Sequence, residues 1–92
     1  MNTESQYIKE LVGAIVGIKD KKVLLEFLKD LLTPGELQEF AIRLQIVKKL
    51  LKNKKQREVA KVLGVGVATV TRGSMELKDK KGGFRLVLDK KK

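Results

Sequence analysis

The chain has 92 residues, a formal net charge of +10, and neither cysteine nor histidine. The missing residue types exclude disulfides, thiolate or imidazole metal ligands, and catalysis by a nucleophile paired with a histidine, so we expect no enzyme, no metal site and no required cofactor. No secretory signal opens the chain and no apolar run is long enough to span a bilayer, which predicts a cytoplasmic protein without a membrane partner.

The N-terminal part predicts two helices. We expect Met1 to Gln6, a polar stretch, to be frayed, and a helix to begin at Tyr7, from which apolar residues recur at helical spacing up to Ile18. Asp20 is suited to cap a second helix over residues 21–32, whose apolar side chains cover more than one face. Because a monomer of this size buries its core only marginally, an apolar content of 42% predicts a homodimer with shared helices.

The clearest local signature of this half is Thr33-Pro34-Gly35-Glu36. Its threonine and glutamate can each accept a hydrogen bond from the other's amide, and its proline suits the first position of a helix. Apolar residues then follow at spacings of three and four over residues 37–51, and Asn53 suits a left-handed stop. The sequence therefore predicts a third helix of about 19 residues.

The stretch from Gln56 to Leu77 predicts a helix-turn-helix. Each half places aliphatic residues on one helical face, and Gly64-Val65-Gly66 separates the halves. A steep crossing needs a left-handed residue at the end of the first helix, which Gly64 supplies, and Val65 is expected to fill the angle between the helices. An αα-corner of any small helical protein would show the same pattern. The outward positions carry short or polar residues that suit base edges and phosphates: Gly66, Ala68, Thr69 and Thr71, with Gln56 and Arg57.

Residues 79–92 predict a short basic tail. After a flexible turn, residues 84–88 alternate like a strand but are too few to be distinguished from a helical turn. Lys90 to Lys92 are expected to be solvated.

Positive charge is concentrated in the half that contains the helix-turn-helix. Residues 1–47 hold six Lys or Arg and seven Asp or Glu, a net charge of −1, whereas residues 48–92 hold fifteen and four, a net charge of +11. A field of this sign attracts polyanions and makes binding to them depend on salt. Charge alone leaves nucleic acids, acidic membranes and acidic proteins open as partners.

Two stretches, LLTPGELQEFAIRLQIVKKLL and QREVAKVLGVGVATVTRGSMELK, make the chain resemble the bacterial Trp repressor family. The resemblance covers roughly residues 31–78 and includes LTP, an arginine inside the long helix, QRE and the run AT-V-TRGS. It implies an all-α, intertwined homodimer that binds double-stranded DNA, associates with the nucleoid when bound, and regulates transcription as a repressor. The whole chain would be one domain, with dimerisation helices in residues 1–53, a DNA-reading head in 54–78 and the tail in 79–92.

The resemblance and the charge distribution together predict which residues contact DNA. Charged and hydroxyl side chains would contact phosphates or sugars, and the start of the second helix of the helix-turn-helix would meet base edges. The predicted DNA-binding residues are Lys54, Lys55, Gln56, Arg57, Gly66, Val67, Ala68, Thr69, Thr71 and Lys78.

In the family's tryptophan-sensing members, a bound amino acid wedges the reading head outward, two arginines sandwich its indole, and one of them holds its carboxylate. Arg43 and Arg72 match those arginines in this chain. Thr33 matches a residue near the ligand's amino group, and Thr69 and Gly73 match the pocket wall. The resemblance therefore implies L-tryptophan or a related amino acid as a co-repressor.

This chain departs from the family's pattern around that ligand. Glu76 stands in place of the serine near the ammonium, Asp30 in place of a carbonyl-bearing leucine, and the long C-terminal helix is absent. Glu76 is therefore included among the candidate ligand residues. The two acids could bind an ammonium, or could pair with Arg72 or Lys78 when no ligand is bound.

The ends of the chain, IVGIKDKKVLLEFLKDLLT and GGFRLVLDKKK, are similar to the YerC/YecD-type branch of the same family, whose members are regulators without an established effector. DNA binding without an effector is therefore one alternative. A general polyanion- or RNA-associated module is another, although one Tyr, three Phe and no Trp give little base stacking. A protein-only adaptor using the apolar N-terminal helices is a third.

Overall fold

The computed structural model describes residues 3–89, which form six α-helices and no strand. These residues divide into two compact units, one ending at Leu37 and the other beginning at Gln38. No helix among them has the length and apolar character needed to cross a membrane. The predicted all-α class is confirmed. The helices are α1 (Thr3–Val16), α2 (Lys21–Leu31), α3 (Pro34–Leu51), α4 (Gln56–Leu63), α5 (Val67–Glu76) and α6 (Gly83–Leu88).

Helix α1 begins before its apolar pattern does. The expectation of a frayed start is wrong from Thr3 onward, where α1 begins; Met1 and Asn2 lie outside the described residues. Glu4 lies in the first turn, where a carboxylate interacts favourably with the helix dipole. Residues 3–6 therefore extend the helix without contributing to its apolar face, and Glu4 and Gln6 are the residues of good helix propensity among them.

Helix α2 begins at the predicted cap. Asp20 Oδ1 accepts a hydrogen bond from the Lys22 amide at 2.8 Å, and α2 ends at Leu31, one residue before the predicted end. No residue of α1 or α2 is buried. Their apolar side chains therefore gain little from burial within one copy of the chain.

Helix α3 is delimited by local sequence at both ends. The Thr33 amide donates to Glu36 Oε1 at 2.9 Å, and the Glu36 amide donates to Thr33 Oγ1 at 3.1 Å, so the predicted reciprocal cap is confirmed. The helix has 18 residues, and Asn53 follows it with a φ of 65°, the predicted left-handed stop. Ile46 and Val47 are buried and face the C-terminal unit's core.

Helices α4 and α5 form the predicted helix-turn-helix. Gly64 ends α4 in the left-handed region, with φ 68° and ψ 35°. Val65 packs against a core cluster that α3, α4 and α5 share, which confirms its predicted position between the helices. The core residues of the cluster are Ile46, Val59, Ala60 and Val70.

Residues 84–88, for which the sequence allowed either a strand or a helical turn, belong to helix α6. The side chain of Arg85 holds this helix in place through two hydrogen bonds. Its Nε donates to the Leu77 carbonyl at 3.0 Å, and its Nη1 donates to Asp89 Oδ2 at 3.2 Å. The first bond ties α6 to the residue that follows α5. The predicted solvated tail, Lys90 to Lys92, lies outside the described residues.

Gly64→Ala should lower the free energy of unfolding by about 1 kcal/mol, because a Cβ is strained at a positive φ. Beyond the adjacent residues of the chain, no atom lies within 4 Å of that Cβ, so backbone strain is the cause to be measured. Gly66→Ala is the matched control, since Gly66 has φ −72° and open space around its added Cβ. Urea unfolding followed by circular dichroism measures both variants, and equal stability would contradict a left-handed end of α4.

Candidate nucleic-acid interface

The first turn of α5 presents small side chains to solvent. Val67 is 48% exposed, and Gly66, Ala68 and Thr69 are also exposed. On the opposite side of the helix, Val70 is fully buried in the core cluster. Helix α5 is therefore anchored by one face and offers the predicted base-contacting residues on the other.

A groove of about 570 Å³ next to this helix collects several of the predicted phosphate contacts. We call it the lysine groove. Its cationic side chains come from the α3–α4 loop, from the residue after Leu77, and from α6. The lining residues are Leu50, Asn53, Lys54, Lys55, Gln56, Ser74, Leu77, Lys78 and Arg85.

Lys55 is also the N-cap residue of α4. A charged lysine side chain has no acceptor for the first amides of a helix, unlike the serine, threonine, aspartate or asparagine usual at this position. The start of α4 therefore carries two neighbouring ammonium groups, Lys54 and Lys55, together with the Glu58 carboxylate, whose Oε1 accepts a hydrogen bond from the Lys55 amide at 3.3 Å.

Gln56 and Thr71, both predicted to contact DNA, are bonded to each other. Thr71 Oγ1 donates to Gln56 Oε1 at 2.7 Å, which joins α4 to α5. The bond uses the amide oxygen, so the Gln56 amide nitrogen is the group that can donate to a phosphate. Arg57 is exposed on α4 and does not line the groove.

A second cavity, of about 750 Å³, lies between α3 and α5. This α3–α5 pocket contains five of the six predicted ligand residues, namely Arg43, Thr69, Arg72, Gly73 and Glu76. The sixth, Thr33, belongs to the N-terminal unit, where its side chain caps α3, and its part in ligand binding stays a prediction. The other lining residues are Gln38, Glu39, Ile42, Ile46, Val65 and Phe84.

The charged side chains of this pocket do not neutralise one another. Within residues 3–89 the ion pairs are Lys29–Glu26 and Arg85–Asp89, so Glu76 pairs with neither Arg72 nor Lys78 in the structure. The Arg43 guanidinium lies over the Phe40 ring, 5.6 Å from its centroid. Two arginines and two glutamates thus line one cavity, where a molecule with both signs of charge would find partners.

Sequence reasoning did not assign the other six lining residues to the pocket, and two of them, one charged and one aromatic, bear on its chemistry. Glu39 stands four positions before Arg43 on α3, so helical spacing was a signal that could have found it. Phe84 comes from the tail, and nothing in the local pattern of residues 84–88 indicated a contact with the pocket.

Two helices joined through a left-handed glycine, with an exposed second helix beside a lysine groove, fit the fold of helix-turn-helix proteins. The family model described as "Trp repressor protein" matches residues 6–92. The chain belongs to the Trp repressor family, as its sequence resemblance predicted.

Similar proteins of known family support the same assignment. The Trp operon repressor homolog of Vibrio parahaemolyticus serotype O3:K6 is 42% identical over 76 residues, 82% of this chain and 71% of that protein. The protein of the same name from Photobacterium profundum is 50% identical over 77 residues, 83% of this chain and 72% of that protein. Family membership makes the chain a DNA-binding transcription regulator of the repressor type, from a family of regulators rather than enzymes.

Proposed function

We propose that the chain acts as a homodimer that recognises a specific duplex sequence by placing α5 in the major groove, and thereby represses transcription. The observation that carries this proposal is the exposed first turn of α5, on the same helix whose C-terminal end lines the lysine groove. Small residues let a helix approach base edges closely, while the lysines hold the adjacent phosphates.

The predicted DNA-binding residues divide into those that would contact base edges and those that would contact the DNA backbone. Gly66, Val67 and Ala68 would meet base edges, because they form the exposed start of α5. The other predicted residues would contact phosphates or sugars, and the hydrogen bond between Gln56 and Thr71 would fix the angle at which both helices meet the backbone. The residues that would contact the DNA backbone, and so position the helix, are Lys54, Lys55, Gln56, Arg57, Thr69, Thr71 and Lys78.

Exposed apolar side chains in the N-terminal unit support the homodimer. Tyr7 is 64% exposed, Val12 52%, Val16 73% and Val23 53%. Helices α1 and α2 bury no residue within one copy of the chain, and a second copy of the same helices would cover these side chains.

Selection of bound duplexes from a random pool tests the proposal, with structured RNA as a competitor. We expect one two-fold symmetric DNA sequence to be enriched and the RNA to compete only weakly. Equal binding of random duplex and RNA would instead favour a general polyanion-binding module, and no salt-sensitive DNA binding would favour a protein-only adaptor.

Ala68→Asn should change the preferred sequence at one or two base pairs, because it adds a donor and an acceptor to the base-contacting turn. Affinity for random duplex should change little, since Ala68 offers no group to a phosphate. Repeating the selection with the variant, alongside urea unfolding to check its stability, measures this effect. A variant with unchanged sequence preference would show that α5 is not the recognition helix.

We further propose that an amino acid such as L-tryptophan is the co-repressor and binds in the α3–α5 pocket. Thr69 and Arg72 lie on α5, so a ligand in this cavity contacts the helix that carries the base-reading turn. Calorimetry with L-tryptophan, and DNA affinity measured with and without it, test the idea. Absence of heat together with unchanged DNA affinity would favour effector-independent DNA binding.

A further inference from the structure

The α3–α5 pocket has a charged side and an apolar side. The charged side chains lie on α3 and α5, as described above. The apolar side comes from three separate segments: Ile42 and Ile46 on α3, Val65 in the turn before α5, and Phe84 on α6. Phe84 is the one aromatic residue among the lining residues that the structure describes. The tail therefore supplies the aromatic ring found among the described lining residues.

The segment before Phe84 is fixed by hydrogen bonds. Asp79 Oδ1 accepts from the Lys81 amide at 3.0 Å, and the Asp79 carbonyl accepts from the Gly82 amide at 3.0 Å. On its other side, Arg85 donates to the Leu77 carbonyl at 3.0 Å. These contacts flank Phe84 and hold the start of α6 against the end of α5.

The exposure of the α6 side chains agrees with this placement. Leu86 is 76% exposed and Val87 64%, whereas Phe84 is half-buried. A six-residue helix has little stability of its own, so its orientation depends on contacts with the rest of the unit. Phe84 and Arg85 make those contacts, while Leu86 and Val87 point away from them.

We propose that Phe84 is a specificity-determining residue of the α3–α5 pocket. It forms the wall against which the apolar side chain of an amino-acid effector packs, and it favours flat aromatic side chains over aliphatic ones. The charged side of the pocket binds the ammonium and carboxylate, which every amino acid carries, whereas Phe84 faces the side chain, the part that differs between amino acids. This inference rests on the co-repressor function proposed above.

The placement of Phe84 can be tested without any ligand. The chain contains no tryptophan, so Phe84→Trp and Val87→Trp each introduce a single indole fluorophore. Phe84→Trp should emit at shorter wavelength and be quenched less by acrylamide than Val87→Trp, whose position is 64% exposed. Equal emission and equal quenching would overturn the proposal, because residue 84 would then lie in solvent.

Selectivity is tested by calorimetry with L-tryptophan and L-leucine as probes. Phe84→Ala should weaken L-tryptophan binding roughly tenfold and L-leucine binding less, since an aromatic contact is lost in addition to apolar area. Phe84→Leu keeps apolar bulk, so its affinity for L-tryptophan should lie between those of the unaltered chain and of Phe84→Ala. Leu86→Ala, the matched control on α6, should bind both probes as the unaltered chain does.

The outcomes separate the inference from the function on which it rests. If the unaltered chain binds L-tryptophan and Phe84→Ala keeps both its affinity and its preference over L-leucine, the role of Phe84 is overturned and the co-repressor proposal stands. If the unaltered chain binds neither probe, both are overturned, while duplex selection still reports on DNA binding. A smaller preference for L-tryptophan over L-leucine in Phe84→Ala, with the preference of Leu86→Ala unchanged, supports the proposal.

Discussion

Replacing Lys54, Lys55 and Lys78 together by glutamine should lower the affinity for duplex DNA by about 100-fold or more at moderate salt. The three side chains line one groove of about 570 Å³, so they would face the same stretch of DNA backbone. Each phosphate contact that is lost should also reduce the slope of log K against log salt by about 1, which predicts a total reduction of roughly 3. Fluorescence anisotropy over a series of salt concentrations measures both quantities.

The control for this triple variant removes the same charge elsewhere. Lys9, Lys19 and Lys22 are exposed in the N-terminal unit, and their replacement by glutamine also lowers the net charge by three. Long-range attraction would weaken equally in both variants, but phosphate contacts would be lost only from the lysine groove. Equal affinity and equal salt slope in the two triple variants would show that the groove is not the DNA-binding surface.

Local sequence was sufficient to predict most helix boundaries. Thr33 and Glu36 act within four residues of each other, and Asn53 and Gly64 adopt the left-handed conformation that their own chemistry permits. These features depend on steric and hydrogen-bond preferences of neighbouring residues, which the sequence states directly. The same locality explains why the turn before α5 and the exposed Ala68 were predicted correctly.

Contacts between distant segments were harder to predict. Residues 84–88 alternate in polarity, but the bond from Arg85 to the Leu77 carbonyl favours a helix there, and a pattern of five residues contains no information about that bond. The hydrogen bond between Gln56 and Thr71 spans 15 positions in the sequence and was equally hidden. The part of Phe84 in the α3–α5 pocket depends on the first of these contacts. The pocket residues on α3 and α5 were therefore predictable where the family resemblance marks them, whereas Phe84, which reaches the pocket from the tail, was not.

Helix α5 packs closely against α3 at Gly73, so a methyl group added there should change the free energy of unfolding. An ideal Cβ at Gly73 would lie 2.9 Å from Ile46 Cγ2, and the Ile46 side chain is only 2% exposed. Helix propensity alone predicts that Gly73→Ala would stabilise α5 by about 1 kcal/mol. We expect destabilisation instead, by roughly 1 to 3 kcal/mol, because a methyl group inserted into a well-packed core forces the helices apart. Urea unfolding at equal protein concentration measures whether the free energy of unfolding rises, as helix propensity predicts, or falls, as the clash predicts.

Two substitutions of Ile46 identify the clash as the cause. Ile46→Leu removes the Cγ2 methyl, whereas Ile46→Val keeps it, and each alone should cost no more than about 1.5 kcal/mol. In a double-mutant cycle with Gly73→Ala, we expect Ile46→Leu to recover most of the lost stability and Ile46→Val to recover little. Gly35→Ala, with no atom within 4 Å of its added Cβ, shows the effect of the same replacement in α3 without a clash. If Gly73→Ala instead stabilised the protein as much as Gly35→Ala does, α5 would not pack this closely on α3, and the α3–α5 pocket would have a different shape from the one that brings Arg43 and Arg72 into a single cavity.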